Sequence, residues 1–194
     1  MTRLERLVAE GETGKLANLV TLARLVSIVP ILMLLTHGRD WLALNLYIGA
    51  ALTDLLDGWL ARRSGQASMF GAILDGVVDN VFSLATLPFL LLAFPGLFDR
   101  HPVAMVVLFA GPLVYLAVAK LWTGSLMMFH FLSAKTGAFL LFALWPALWL
   151  TGWEGFVPLA ACVVGGSRIE QLVFIWRGGT DQDARHGFIR LERA

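Results

Sequence analysis

The chain has 194 residues, of which 58% are hydrophobic and only 15% are charged. Its mean hydropathy of +0.73 argues against a soluble globular domain, because such domains are far less apolar. The net charge of +1 and the lack of a basic stripe argue against nucleic acid as a partner.

Six segments of the sequence are long and apolar enough to be membrane-spanning helices, each of which needs about 20 mostly apolar residues. Before the first of them, residues 1–16 mix leucines with charged side chains, which predicts an amphipathic helix in the membrane interface. The spans are predicted at residues 17–36, 41–62, 68–94, 102–123, 131–151 and 156–176. Residues 177–194 form a polar tail, and no long linker divides the chain. We therefore predict an all-α fold with a single membrane domain over residues 1–194, built as an integral bundle of six transmembrane helices.

Arginine and lysine are concentrated at alternate ends of the predicted spans. They precede the first span, close the second and follow the sixth, and they are Arg3, Arg6, Lys15, Arg62, Arg63, Arg177, Arg185, Arg190 and Arg193. Positive residues in short loops remain on the cytoplasmic side of a membrane. The sequence therefore predicts a multi-pass protein of a bacterial inner membrane with both termini in the cytoplasm.

Four aspartates interrupt the second and third predicted spans. They are Asp54 and Asp57 in ALTDLLDGWLARR and Asp75 and Asp79 in FGAILDGVVDN. A carboxylate in hydrocarbon is strongly disfavoured unless it is paired, hydrated or coordinated, so the four predict a functional site. Spacings of three and four residues put each pair on one helix face. With a turn near Gly65, Asp54 and Asp75 lie at matching depth, roughly 15 Å from that turn. We predict that the four carboxylates converge.

Converging carboxylates repel one another, and divalent cations between them remove that repulsion. Oxygen ligands without a nearby cysteine or histidine favour Mg²⁺ or Mn²⁺, and four carboxylates are enough for two ions. Two such ions at the cytoplasmic edge would suit a pyrophosphate substrate. Gly58 and Ala61, one turn apart, leave room for a flat group, and the fork of Arg62 suits phosphate.

The same acids are compatible with a different class of protein. Buried carboxylates in a helical bundle also act as proton relays or ion-pair groups in cation- or proton-coupled transporters. The acids by themselves leave both classes open.

A longer pattern surrounds the aspartates. From Asp54 to Asp79 the chain reads Asp-x-x-Asp-Gly-x-x-Ala-Arg, eight residues, and then Gly-x-x-x-Asp-x-x-x-Asp. This pattern resembles the complete signature of the CDP-alcohol phosphotransferases, a family of membrane enzymes with six spans. The resemblance implies transfer of a substituted phosphate from a CDP-linked donor to an alcohol, with release of CMP, at a site open to the cytoplasm.

The resemblance also implies a role for each signature position. The ligands of two Mg²⁺ or Mn²⁺ ions would be Asp54, Asp57, Asp75 and Asp79. Asp79 would also be the general base on the acceptor hydroxyl. The groups that bind the cytidine diphosphate part would be Asp54, Gly58, Ala61, Arg62 and Gly71.

The signature implies the type of reaction but does not identify the acceptor alcohol. Roughly the first 80 residues are similar to bacterial phosphatidylglycerophosphate synthases, in TDLLDGWLARRSGQASMFGAILD and in NLVTLARLVSIVP with Asn18, Thr21, Arg24 and Pro30. That similarity implies CDP-diacylglycerol as donor and glycerol 3-phosphate as acceptor. The sequence departs from those synthases at Gly76 and Asn80, so inositol phosphate, inositol and serine stay open as acceptors.

Three cations lie in or at the ends of later apolar segments, namely Lys120, Lys135 and Arg168. An acceptor that carries its own phosphate would suit such cations, and we predict that these residues bind it. Two alternatives stay open: Lys135, near a span start, would also suit snorkelling to the interface, and Arg168 would also suit a structural pair with Glu170. The family resemblance further implies a homodimer.

Overall fold

The computed structural model describes the backbone of residues 15–64, 69–124, 129 and 131–179, with side chains omitted at 15–17, 54–64 and 69–73. Within these residues the regular structure is helical throughout. The helices are α1 (Lys15–Thr36), α2 (Asp40–Ser64), α3 (Met69–Ala93), α4 (Leu97–Arg100), α5 (Pro102–Thr123), α6 (Leu132–Thr151) and α7 (Phe156–Trp176). The all-α prediction is confirmed for this part of the chain.

The predicted spans coincide closely with the six long helices, but the count of six spans is not confirmed. In the described residues, five helices are long and apolar enough to cross a membrane, namely α1, α3, α5, α6 and α7. The second long helix, α2, is not among them, although its 25 residues exceed the length of a span. The side chains of its C-terminal half, residues 54–64, lie outside the described residues, so a span at 41–62 stays a prediction. The predicted interfacial helix and nearly all of the polar tail lie outside the described residues.

The chain divides into two compact units, Met1–Pro95 and Gly96–Ala194. In the first unit α1 packs against both α2 and α3. Three buried rings join α2 to α3, because Tyr47 stacks on Phe82 with 5.5 Å between centroids and meets Phe89 edge-on at 6.0 Å. Aromatic pairs in these geometries add to the stabilisation that burial already provides. The aspartate signature, residues 54–79, lies entirely within this unit.

In the second unit α7 packs against both α5 and α6. An aromatic cluster at one end of these helices consists of Phe129, Phe131 and Phe174, with ring centroids 5.2–5.3 Å apart. Further along, α6 and α7 approach closely, because a Cβ atom added to Gly137 would lie 3.2 Å from Cγ2 and 3.4 Å from Cα of Val164. These contacts fix the positions of the helices that carry Lys135 and Arg168.

A salt bridge at the other end of the second unit joins α4 to the loop between α6 and α7. Arg100 donates from Nε to both carboxylate oxygens of Glu154, at 3.0 and 2.9 Å, and from Nη2 at 2.7 Å. His101 Nε2 lies 3.0 Å from the same carboxylate. The hydrogen bonds between Arg100 and Glu154 lower the pKa of the Glu154 carboxyl and raise the pKa of the Arg100 guanidinium. The loop that enters α7 is therefore held by charge-assisted hydrogen bonds.

Candidate functional site

The signature positions fall on two helices of the first unit. The C-terminal half of α2 carries Asp54, Asp57, Gly58, Ala61 and Arg62, and the N-terminal half of α3 carries Gly71, Asp75 and Asp79. The side chains of the α2 group lie outside the described residues, as does the surrounding of Gly71. Convergence of all four carboxylates therefore stays a prediction, while two of them can be described directly.

Asp75 and Asp79 lie one helical turn apart in α3 and approach the same cation. The Nη1 atom of Arg24 lies 3.7 Å from Oδ1 of Asp75 and is hydrogen-bonded to Oδ1 of Asp79. The side chains of Asp75 and Asp79 are 41% and 33% exposed. The two carboxylates thus share a helix face, as their spacing predicts, and both side chains are partly accessible.

Arg24 lies near the middle of α1 and is 1% exposed. A guanidinium buried to this extent is tolerated only where carboxylates or other acceptors compensate its charge. The side chain of Ser27, one turn further along α1, donates to the carbonyl oxygen of Arg24 at 2.6 Å. In the sequence Arg24 is only a point of similarity to other proteins, and no role was predicted for it. The signal that could have identified it is an arginine within an apolar segment, which in a membrane protein marks a functional or paired group.

The residues of this site can be tested against a divalent metal by their donor chemistry. Asp75 and Asp79 offer carboxylate oxygens, the ligands that Mg²⁺ and Mn²⁺ prefer, and both are partly accessible. Among the described residues, no group of three or more His, Cys, Asp or Glu side chains is arranged to hold a metal ion. The pair therefore fits a divalent ion chemically but needs further ligands, for which Asp54 and Asp57 are the predicted residues.

The three predicted acceptor-binding cations all lie in the second unit and differ in environment. Lys120, in the last turn of α5, and Lys135, in the first turn of α6, are exposed. Arg168 in α7 is half-buried, and its Nη1 donates to Oε1 of Gln171 at 3.0 Å. The guanidinium of Arg168 also lies 5.4 Å from the ring centroid of Tyr115. The structure thus brings Arg168 together with Gln171 and Tyr115, neither of which our sequence analysis singled out.

A polar contact lies next to Arg168 on the same helix. Glu170 accepts a hydrogen bond from the Ser133 hydroxyl, which joins α7 to the start of α6. Gln171, which is buried, directs Nε2 to the carbonyl oxygen of Phe129 at 3.5 Å. Arg168 is therefore held in a polar layer that also includes the first turn of α6, where Lys135 lies.

Comparison with known proteins gives a family match and several relatives. The sequence profile of the CDP-alcohol phosphatidyltransferases matches residues 14–167 of this chain. A CDP-diacylglycerol–glycerol-3-phosphate 3-phosphatidyltransferase of Cereibacter sphaeroides is 42% identical over 74 residues, which is 36% of this chain and 34% of the relative. The protein of the same name from Pseudomonas fluorescens is 37% identical over 94 residues, which is 46% of this chain and 48% of the relative.

An inositol enzyme is also similar to part of the chain. The CDP-diacylglycerol–inositol 3-phosphatidyltransferase of Schizosaccharomyces pombe is 47% identical over 49 residues, which is 25% of this chain and 21% of the relative. The chain therefore spans less than half the length of each of these curated relatives. Comparison with solved structures found no significant match.

Proposed function

The chain belongs to the CDP-alcohol phosphatidyltransferase family, and on that premise we propose that it transfers a phosphatidyl group from CDP-diacylglycerol to a polar alcohol and releases CMP. The observation that carries the proposal is the arrangement of Asp75 and Asp79. They are two partly exposed carboxylates one turn apart on an apolar helix, and both approach one buried arginine. A carboxylate in an apolar helix is energetically unfavourable unless it is paired, hydrated or coordinated. Asp75 and Asp79 also occupy signature positions of the family.

We propose that two divalent ions, Mg²⁺ or Mn²⁺, bind at Asp54, Asp57, Asp75 and Asp79. Support comes from the all-oxygen donor set and from the accessibility of Asp75 and Asp79. When bound, such ions neutralise pyrophosphate oxygens and the charge that develops on the departing CMP. Gly58, Ala61, Arg62 and Gly71 are proposed to hold the cytidine diphosphate part together with Asp54.

In the proposed reaction Asp79 is the general base. It removes the proton of the acceptor hydroxyl, whose oxygen then forms a bond to the phosphorus of the phosphatidyl group. The bond from that phosphorus to the CMP oxygen breaks, and the electron pair leaves with CMP. A carboxylate suits this role because it can take up one proton and is 33% exposed toward an incoming hydroxyl. The step is a single in-line displacement.

Glycerol 3-phosphate is the proposed acceptor, because two relatives named for it match the chain. Inositol phosphate and inositol are alternatives of the same chemistry, and one relative is named for inositol; serine is a further alternative. Lys120, Lys135 and Arg168 are proposed to bind the acceptor phosphate. Arg168 is the best placed of the three to be held in one geometry, because Gln171 and Tyr115 contact its guanidinium.

The helices that are apolar enough to cross a membrane support an integral membrane location for this activity. We propose the inner membrane of a bacterium, with both termini and the active site at the cytoplasmic side, where water-soluble acceptor and CMP exchange. Protease protection of tagged termini in sealed vesicles would test this orientation. A homodimer is also proposed, and mass measurement by light scattering on the detergent-solubilised protein would test it.

The test of the function is a parallel assay of purified protein. CDP-diacylglycerol is supplied with Mg²⁺ or Mn²⁺ and, in separate reactions, with radiolabelled glycerol 3-phosphate, inositol phosphate, inositol or serine. We expect CMP release together with a labelled lipid from glycerol 3-phosphate. Labelled lipid from a different acceptor would correct the substrate and leave the reaction intact.

The transporter alternative predicts the opposite result in this assay. A cation- or proton-coupled transporter would move a substrate into sealed vesicles and release no CMP in any of the four reactions. Absence of CMP release from folded, metal-supplied protein would therefore overturn the proposed function.

A further inference from the structure

We propose that Arg24 is a positioning residue for the transfer reaction, which holds Oδ1 of Asp79 from inside the protein and so fixes the carboxylate that takes the acceptor proton. This inference rests on the proposed function and adds a residue outside the aspartate signature to its machinery. Arg24 and Asp79 lie 55 residues apart in the sequence, on α1 and α3.

The direction of approach is the first argument. The guanidinium of Arg24 is 1% exposed, whereas the Asp79 side chain is 33% exposed. Arg24 therefore reaches the carboxylate from the protein interior, and a substrate reaches it from the opposite, accessible side. Because Arg24 is sealed from solvent, it acts through Asp79 and does not touch the substrate.

The hydrogen bond is the second argument. A carboxylate in a charge-assisted hydrogen bond to a guanidinium loses much of its rotational freedom, since that bond is directional and strong. The bond engages Oδ1 and so limits the orientations that the proton-accepting carboxylate can adopt. Holding a base in one orientation is valuable because misplacement by a fraction of an ångström lowers the rate of proton transfer.

The charge balance is the third argument. Asp75 and Asp79 repel each other across one helical turn, and the Nη1 atom of Arg24 lies 3.7 Å from Oδ1 of Asp75 as well. The single positive charge of Arg24 thus partly compensates the negative charge of both carboxylates. Removal of Arg24 would leave both aspartates without this charge and free to turn toward other partners.

A double-mutant cycle in metal-free, detergent-solubilised protein tests the pairing without any activity measurement. The variants are Arg24→Gln, Asp79→Asn and the double variant, with thermal unfolding as the readout in excess chelator. We expect Arg24→Gln to unfold at lower temperature, because it removes the buried cation that approaches both Asp75 and Asp79, whereas Asp79→Asn removes one partner of the pair but also relieves its repulsion with Asp75. We expect Arg24→Gln to lower the melting temperature less in the Asp79→Asn background than in the wild type, by about 3 °C or more.

The matched control is Arg39→Gln, which removes the same charge from an exposed position after α1. Combined with Asp79→Asn, it should give additive changes in melting temperature, because Arg39 and Asp79 are not paired. Additive shifts for the Arg24 variants as well would overturn the proposed pairing.

Steady-state kinetics separate positioning from a merely structural role. We expect Arg24→Gln to lower kcat about 10- to 100-fold while the KM for CDP-diacylglycerol changes less than about threefold. Arg24→Lys should recover part of the lost kcat, because lysine keeps the charge but not the planar fork. If Arg24→Gln does not fold, the lysine variant carries the test, and a wild-type kcat for it would overturn a requirement for guanidinium geometry.

The outcomes distinguish this inference from the proposed function. Wild-type protein that releases no CMP overturns the function, whatever the melting temperatures show. Active wild-type protein with an Arg24→Gln variant of unchanged kcat overturns the positioning role alone.

Discussion

Arg24 in α1 donates a hydrogen bond from Nη1 to Oδ1 of Asp79 in α3, and the two helices are separated in sequence by the whole of α2. The same nitrogen lies 3.7 Å from Oδ1 of Asp75. An acidic site on one helix is therefore balanced by a buried cation from another, and α1 is part of the site as well as of the scaffold.

Replacement of Asp79 by asparagine tests its role as general base. We expect Asp79→Asn to bind CDP-diacylglycerol normally but to lower kcat by about 100-fold or more, because the amide cannot accept the hydroxyl proton. The measurement is CMP release at saturating donor, together with the donor KM. Asn80→Ala is the control, since Asn80 is exposed and bonds only to the carbonyl of Gly76 in the described contacts. Near-normal turnover of Asp79→Asn would remove the base assignment.

If the proposed metal ions are required, both a chelator and substitution of their ligands should abolish CMP release. Chelator should abolish CMP release, and added Mg²⁺ or Mn²⁺ should restore it in the wild type. Asp57→Asn and Asp75→Asn should lose this metal-dependent activity, because each removes a charged oxygen ligand. The measurement is activity as a function of free metal concentration. Full activity in chelator, or unchanged metal dependence in both variants, would contradict the assignment.

Arg168 is expected to determine the affinity for a phosphorylated acceptor. Arg168→Gln should raise the KM for glycerol 3-phosphate about 10-fold or more, because a charged hydrogen bond to phosphate is lost. The KM for CDP-diacylglycerol should stay within about twofold. Arg177→Gln removes an exposed arginine just after α7 and serves as the control. An unchanged acceptor KM would assign Arg168 to a structural role with Gln171 and Tyr115.

The Arg100–Glu154 salt bridge predicts a dependence of stability on pH. Arg100 lowers the pKa of the Glu154 carboxyl below its ordinary value of 4.5. The stabilisation is therefore fully present above that value and is lost as the pH falls through the lower pKa of the folded state. The loss should be small, because exposed ion pairs are screened by solvent. Melting temperatures of the wild type and Glu154→Gln should converge as the pH falls from about 5 to 3.

A divergence of the two melting temperatures toward acid pH would contradict this sign. Arg100→Gln is the matched control, because it removes the arginine and leaves the carboxyl with His101 as its remaining partner. Its dependence on pH should lie between those of the wild type and Glu154→Gln, because His101 still contacts the carboxyl.

The close approach of α6 and α7 predicts different responses at two glycines. Gly137→Val should lower stability by about 1–3 kcal/mol, because its Cβ atom would lie 3.4 Å from Cα of Val164 and its methyl groups would overpack the contact. Gly166→Ala, where an added Cβ meets nothing within 4 Å, should leave stability unchanged or raise it. Thermal unfolding of both variants is the measurement. A Gly137→Val variant as stable as Gly166→Ala would contradict the close contact.

The positions of the long helices could be predicted well from the sequence. The predicted spans at 102–123 and 156–176 have the same bounds as α5 and α7. A spanning helix is marked by a local property, a run of apolar residues of sufficient length, so one segment can be recognised without the others. The predicted span at 41–62 is helical as α2, but its crossing of a membrane stays a prediction, because the side chains of residues 54–64 lie outside the described residues.

The acids were also visible in the sequence, because a carboxylate in an apolar segment is conspicuous wherever the chain places it. The spacing of Asp75 and Asp79 gave their common helix face, since the period of a helix relates residues within one segment. Roles for the remaining signature positions came from a family resemblance and stay predictions.

Only the tertiary structure showed that Arg24 approaches Asp75 and Asp79. Arg24 lies 55 residues before Asp79 and outside the aspartate signature, and nothing in its sequence spacing relates it to Asp79. The pairing with Arg24 depends on the rotation and depth of α1 relative to α3, which packing between helices sets. The same holds for the contacts of Arg168 with Gln171 and Tyr115. Local patterns determine where helices and charges occur, and the packing of helices determines which charges meet.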